Sequence, residues 1–344
     1  MILEMSLRCY PMRVHDLGEH ELIKRIIKRL PSPNIGDDCA AVPLGDSYLL
    51  ITVDGIHEKT DIPKGATLYE IGWYACASTI SDIASKGGKP LSILASLFIP
   101  EDMSEKDVMS FLKGVDDCAS VYGAFLDGGD INYGDSFSAD VVGLGIVEKR
   151  HYVSRYGARP DDVVIVTGTF GTPSGALSML QEGLSVPDYV RRKLLMPTPR
   201  VRESILLIST GLVTASIDSS DGLYESLRIL SECSEVNITI DYERVPKDEW
   251  LEATFSEESV FKHVLFGGGE FELVMTARPE IVNYIGRISK LTGTRISVIG
   301  KVYEGKGVKI LAKGHPLKVS ERGWDSFKSQ DNRHFRRNGS SSNY

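Results

Sequence analysis

Residues 216–223, Ser-Ile-Asp-Ser-Ser-Asp-Gly-Leu, place Asp218 and Asp221 among small residues between two helical patterns, 201–215 before them and another from Gly222 onward. Four other segments repeat the arrangement: Gly36-Asp37-Asp38, Thr52-Val53-Asp54-Gly55, Ser81-Asp82 and Gly128-Gly129-Asp130. Each reads as a turn of small residues, where the carboxylate is unshielded and a ligand can approach the backbone. Gathered without counter-ions, each carboxylate pair ~4 Å apart would cost roughly 4 kcal/mol at an effective dielectric near 20. Hard oxygen ligands on loops are what Mg²⁺ uses when it also binds phosphate oxygens. Together the five segments predict a site for several Mg²⁺ ions and a nucleotide.

Helices and strands alternate around these segments. Residues 18–30 set Leu22, Ile23, Ile26, Ile27 and Leu30 on one helical face, stopped by Pro31 and Pro33. Residues 39–54 predict two strands about Gly45-Asp46, 66–86 a helix with Asp82 near its C-terminal end, and 91–99 a strand. A helix capped by Ser104, with Asp107 three residues on, precedes a strand leading to Gly128-Gly129-Asp130. Residues 138–147 close this half as a strand; 163–168, 237–240, 271–277 and 296–302 are the strands of the second half. Neither half keeps a strict βαβ rhythm. The reading is therefore α+β, with domains at 1–150 and 151–328 and a polar, disordered tail at 329–344.

At 344 residues the chain is long enough for two buried cores, and 42% hydrophobic with 25% charged residues is ordinary for a soluble protein. A net charge of −8 argues against nucleic acid or an anionic membrane as partner, since both reward basic patches. Five cysteines (Cys9, Cys39, Cys76, Cys118, Cys233), odd in number and without CxxC spacing, fit reduced thiols in a cytoplasm. No apolar run approaches the ~18 residues of a membrane span, and Glu4 and Arg8 make the N-terminus a poor signal peptide.

Single motifs are less specific than the set. Gly168–Gly175 follows a strand and opens a helix, but it has neither a Walker A ending nor a GxGxxG pattern, and reads as a tight turn. Asp218 and Asp221 alone read equally as a turn acceptor and a helix N-cap. His57, beside Glu58, Lys59 and Asp61, is either a solvated loop histidine or a contact to phosphate or substrate. Arg155 either caps a strand or clamps a phosphate, whose oxygens guanidinium binds bidentately. No Ser-His-Asp or Cys-His arrangement is supported by spacing.

Taken in order, the segments resemble the thiamine-monophosphate kinase family, within the superfamily of ATP-using enzymes that includes aminoimidazole ribonucleotide synthetase. The match runs from Leu17-Gly-Glu-His-Glu-Leu-Ile through Ile35-Gly-Asp-Asp-Cys-Ala-Ala-Val, Ser81-Asp-Ile-Ala and Gly128-Gly-Asp. It continues with Arg155-Tyr-Gly-Ala-Arg-Pro-Asp-Asp, Val166-Thr-Gly-Thr-Phe-Gly, Pro197-Thr-Pro-Arg-Val and Ile217-Asp-Ser-Ser-Asp-Gly-Leu, and ends at Gly323-Trp-Asp-Ser-Phe. Ile131 stands where the family has a threonine after Gly-Gly-Asp, and Gly269 and Glu270 stand where it has glutamate and aspartate. The short segment after Asp54 is nearly as close to the synthetase.

The resemblance implies a homodimer with paired N-terminal sheets, and transfer of the ATP γ-phosphate to thiamine phosphate in the presence of several Mg²⁺ ions. It implies Asp38, Thr52, Val53, Asp54, Asp82, Asp130, Asp218 and Asp221 as metal ligands, and Gly129, Asp130, Arg155 and Ser220 as ATP contacts. His57, Glu270 and Trp324 fall on the acceptor side. Two alternatives stand beside this reading: a superfamily enzyme that uses ATP to activate a carbonyl or carbamoyl oxygen, and a nucleotide-binding regulator without catalysis.

Overall fold

The computed structural model describes residues 13–30, 32 and 35–317; Trp324 and the stretch 329–344 lie outside them. The chain divides before Asp37. In the N-terminal unit, helices α1 (Val14–Leu17) and α2 (Glu19–Arg29) flank Gly18, and Glu21 and Arg25 pair one turn apart on α2 at 2.9 Å.

From Asp37 onward the first elements are β1 (Ala40–Leu44), β2 (Ser47–His57), α3 (Glu58–Asp61), α4 (Leu68–Ser85), β3 (Lys89–Ile99), α5 (Glu105–Val121), β4 (Phe125–Tyr133) and β5 (Ser138–Glu148). Their strands form a five-stranded sheet in the order β1-β2-β5-β3-β4, parallel only between β3 and β4. Thr67 opens α4 with a capping box: its hydroxyl accepts the Glu70 N–H, and the Glu70 carboxylate accepts the Thr67 N–H. Ile71, Ala75 and Ile80 of α4 and Phe111 and Val115 of α5 then share a core with Ile93, Leu97, Ala139 and Val141 on one face of the sheet. A fixed, buried α4 sets the direction of the last turn, which carries Asp82.

The rest of the chain supplies β6 (Val163–Thr167), α6 (Thr172–Gln181), α7 (Asp188–Leu195), α8 (Val201–Ile208), β7 (Val213–Ser219), α9 (Leu223–Ser234) and β8 (Asn237–Asp241). It continues with α10 (Glu249–Thr254), α11 (Glu257–Phe266), β9 (Glu272–Ala277), α12 (Val282–Thr292), β10 (Ile296–Tyr303), β11 (Gly307–Ala312) and β12 (His315–Leu317). These strands form a seven-stranded sheet, β12-β11-β8-β10-β6-β9-β7. Strand alternation sends Val164, Val166 and Val274 into a core with Leu223, Leu227 and Val264, and Ile165, Leu273 and Met275 into one with Leu207 and Ile288. Both faces are thus covered by helices. The architecture is α+β with two sheets, as the sequence predicts.

Three expectations change. The helix expected over 201–215 ends at Ile208, and Gly211, at φ 68°, turns the chain into β7. Strands β11 and β12 have no counterpart in the sequence reading. Two of the aspartate segments are strands and not turns: Asp54 lies inside β2 and Asp130 inside β4, whereas Asp38 and Asp221 occupy bends and Asp82 stands near the end of α4, as the helical pattern over 66–86 predicts. Gly129 marks a close approach and not a turn, since a Cβ there would stand 1.8 Å from the Ala95 carbonyl oxygen on β3.

Candidate active site

The bend before β1, the end of α4 and the end of β7 converge. Asp38, Asp82 and Asp218 each place a carboxylate oxygen within 4.8 Å of the other two. Hydroxyls hold these carboxylates in place. Thr52 of β2 donates to Asp82 at 2.5 Å, Ser81 to Asp218 at 2.7 Å, and Ser85 to Asp38 at 2.7 Å. Asp54 joins the group electrostatically, while the Ser78 and Thr79 hydroxyls of α4 donate to the Ala75 carbonyl. Ser81 and Ser85 of α4 thus orient carboxylates from two distant segments, and Thr52 of β2 orients Asp82 on α4 itself.

Two cations, Lys86 fully buried and Arg155 partly so, divide the charge unequally. The Lys86 ammonium lies 2.6 Å from both Asp37 and Asp38 and donates to the Ser216 carbonyl at 2.8 Å. The Arg155 guanidinium donates to the other oxygen of Asp38. Burial opposes ionisation of Asp38, but Arg155 and Lys86 outweigh it and bring its pKa down to about 2. The remaining carboxylates lack such partners. Burial, with the repulsion of Asp38, raises Asp54 to about 6 and Asp218 to about 7. Asp82 is pushed well above the carboxylate range by burial and by Asp54, Asp218 and Asp38. An all-oxygen, over-acidic donor set of this kind fits a hard divalent cation such as Mg²⁺, whose charge would relieve the repulsion.

The other residues singled out from sequence are distributed as follows. Asp221 and Ser220 follow β7 at the site's edge, and the Ser220 carbonyl accepts the Gly269 N–H at 2.8 Å. Val53 lies between Thr52 and Asp54 with its side chain exposed. His57 ends β2; one ring nitrogen accepts the Lys59 N–H at 3.2 Å and the other lies 3.2 Å from the Ser136 hydroxyl. Gly129 and Asp130 are exposed on β4, where Asn132 donates to Asp130 at 2.8 Å; they are not part of the Asp38–Asp82–Asp218 cluster. Sequence reasoning missed Lys86 and the helix hydroxyls Ser81 and Ser85.

Glu270 is buried. One of its oxygens accepts the Gly171 N–H at 3.0 Å, while the other is buried without a partner. Burial raises its pKa to about 8, against the pull of the Gly171 N–H. A carboxyl raised on folding makes the folded chain bind more protons, so stability falls as pH rises from the unfolded value of ~4 through 8. Glu270→Gln should therefore melt progressively higher than the unmutated chain between pH 5 and pH 9. A gap that does not grow with pH would show that Glu270 is solvated.

The two sheets and the acidic site between α4 and β7 define the class. The chain matches the AIR synthase related protein N-terminal domain over residues 36–147 and the corresponding C-terminal domain over 159–313. Among curated proteins, thiamine-monophosphate kinase of Pyrococcus horikoshii is 34% identical over 315 residues, spanning 92% of this chain and 98% of that protein. The Aquifex aeolicus thiamine-monophosphate kinase is 32% identical, spanning 92% and 100%. The solved structure of AaThiL complexed with AMPPCP and TMP superposes with a TM-score of 0.82 at 31% identity, covering 92% of this chain and 99% of that one. The chain belongs to the thiamine-monophosphate kinase family.

Proposed function

We propose that the chain carries out its phosphotransfer at the Asp38–Asp82–Asp218 cluster, with ATP and thiamine phosphate brought together there. The enzyme is an ATP-dependent kinase whose acceptor is itself a phosphate, and its products are thiamine diphosphate and ADP. An oxygen of the acceptor phosphate attacks the γ-phosphorus as the bond to the β–γ bridging oxygen breaks. With a second pKa near 6 the acceptor is largely ionised at neutral pH, so no strong general base is required. This is consistent with a site rich in carboxylates.

The observation that carries the reading is the convergence of three carboxylates, of which Asp38 is paired with Lys86 and Arg155 while Asp82 and Asp218 have no ion-pair partner among the described residues. Asp38, Asp54, Asp82, Asp218 and Asp221, with Thr52 and the Val53 carbonyl, would hold Mg²⁺, and Asp130 would join them from β4. Bound there, Mg²⁺ neutralises charge on the phosphates. Arg155, Ser220 and Gly129 bind ATP, and His57, Glu270 and Trp324 contact the acceptor. The protein's own part is alignment of the two phosphates. Incubation with ATP, Mg²⁺ and thiamine phosphate should yield thiamine diphosphate, and EDTA should abolish it; ADP formed without thiamine diphosphate would point to another acceptor.

The same reading places ATP binding and dimerisation in residues 1–150, a C-terminal domain in 151–328, and the enzyme in the cytoplasm. No described helix is long and apolar enough to cross a membrane. The homodimer is supported by β4, a sheet-edge strand that exposes Phe125, Ile131 and Tyr133. Light scattering should give about twice 37.9 kDa, and Ile131→Asp should shift the chain toward monomer. A fully active monomer would contradict this assembly.

A further inference from the structure

The Lys86 side chain is fully buried at the C-terminal end of α4, one turn beyond Asp82. Its ammonium has three donors and meets three acceptors: Asp37 at 2.6 Å, Asp38 at 2.6 Å and the Ser216 carbonyl at 2.8 Å. Those acceptors lie on the bend that carries Asp38 and on the strand that carries Asp218, while Lys86 belongs to the helix that carries Asp82. One nitrogen therefore ties together the three segments whose carboxylates form the cluster. With every donor engaged and no exposed surface, Lys86 has none left for a phosphate.

We propose that Lys86 is a positioning residue for the cation site, holding Asp38, Asp82 and Asp218 in place before a divalent cation binds. The proposal rests on the reading of that cluster as a cation site. Sign separates this role from charge balance. Removing a nearby positive charge should, by Coulomb's law alone, tighten cation binding. Losing the three-point tie should loosen it, because groups that orient metal ligands are typically worth about 10–100-fold in affinity.

Mn²⁺ binding to the nucleotide-free full-length chain, read by electron paramagnetic resonance, tests this directly. Lys86→Met should bind Mn²⁺ about tenfold more weakly or worse. In turnover it should need correspondingly more Mg²⁺ for half-saturation, with the KM for thiamine phosphate unchanged. Equal or tighter Mn²⁺ binding overturns the proposal. Lys86→Arg keeps the buried charge on a planar donor set that cannot make the same three contacts, and is read in the same assay. Affinity equal to the unmutated chain in Lys86→Arg would show that the three-point tie does not set the site, and would overturn the proposal. Failure of both variants to fold would assign Lys86 to the fold at large and likewise overturn the proposal. Should the unmutated chain bind no Mn²⁺, the cation-site reading itself is what fails.

Discussion

Asp82→Asn should lower kcat about 1,000-fold, on the order of 4 kcal/mol of lost transition-state stabilisation, while the cation-free protein melts at or above the unmutated temperature. The two effects have one origin. Asp82 is buried beside Asp54, Asp218 and Asp38, and its carboxyl is driven well toward the protonated form. Asparagine has the shape of that protonated form and can still accept the Thr52 hydroxyl. What the variant loses is the anionic oxygen that a divalent cation requires. Differential scanning calorimetry together with steady-state kinetics separates the outcomes. A variant that melts several degrees lower would make Asp82 a structural residue, and one that keeps its turnover at limiting Mg²⁺ would remove it from the site.

Divalent cation should also control the pH dependence of stability. Asp54 and Asp218 have folded-state pKa values of about 6 and about 7. Both are raised above the unfolded value of ~3.9. The folded chain therefore holds more protons than the unfolded chain between about pH 4 and pH 7, and its stability falls as pH rises through that window. Glu270, at about 8, extends the decline. In EDTA the melting temperature should drop steadily from pH 5 to pH 8. Mg²⁺ at 100 times its dissociation constant adds about 2.7 kcal/mol, roughly 4 °C for a chain of 344 residues. That increment should grow with pH, because cations bind the ionised carboxylates. A Mg²⁺ shift equal at pH 5 and pH 8 would contradict the assignment of these groups.

Much of this site was legible because its chemistry is carried by local patterns. Ser104 does cap α5, Asp82 does fall in the last turn of α4, and Asp218 and Asp221 do stand between a strand and a helix. Spacing could not show which segments meet. The hydrogen bond from Ser81 to Asp218 spans 137 positions and that from Lys86 to Ser216 spans 130, distances over which the sequence carries no periodic signal. Lys86 was also concealed by its position, since a lysine at a helix C-terminus reads as a solvent-exposed partner of the helix dipole. Asp54 and Asp130 read as turn residues because glycine beside aspartate signals turns. At Gly129 the glycine instead lets two strands approach.

The central claim is that the γ-phosphoryl group passes directly from ATP to thiamine phosphate. Transfer from ATP made isotopically chiral at the γ-phosphorus tests it most directly. A single in-line displacement predicts thiamine diphosphate whose terminal phosphorus is inverted, with one ADP formed for each product molecule. Retention at phosphorus, label held on the protein, or label released only as inorganic phosphate would contradict the account.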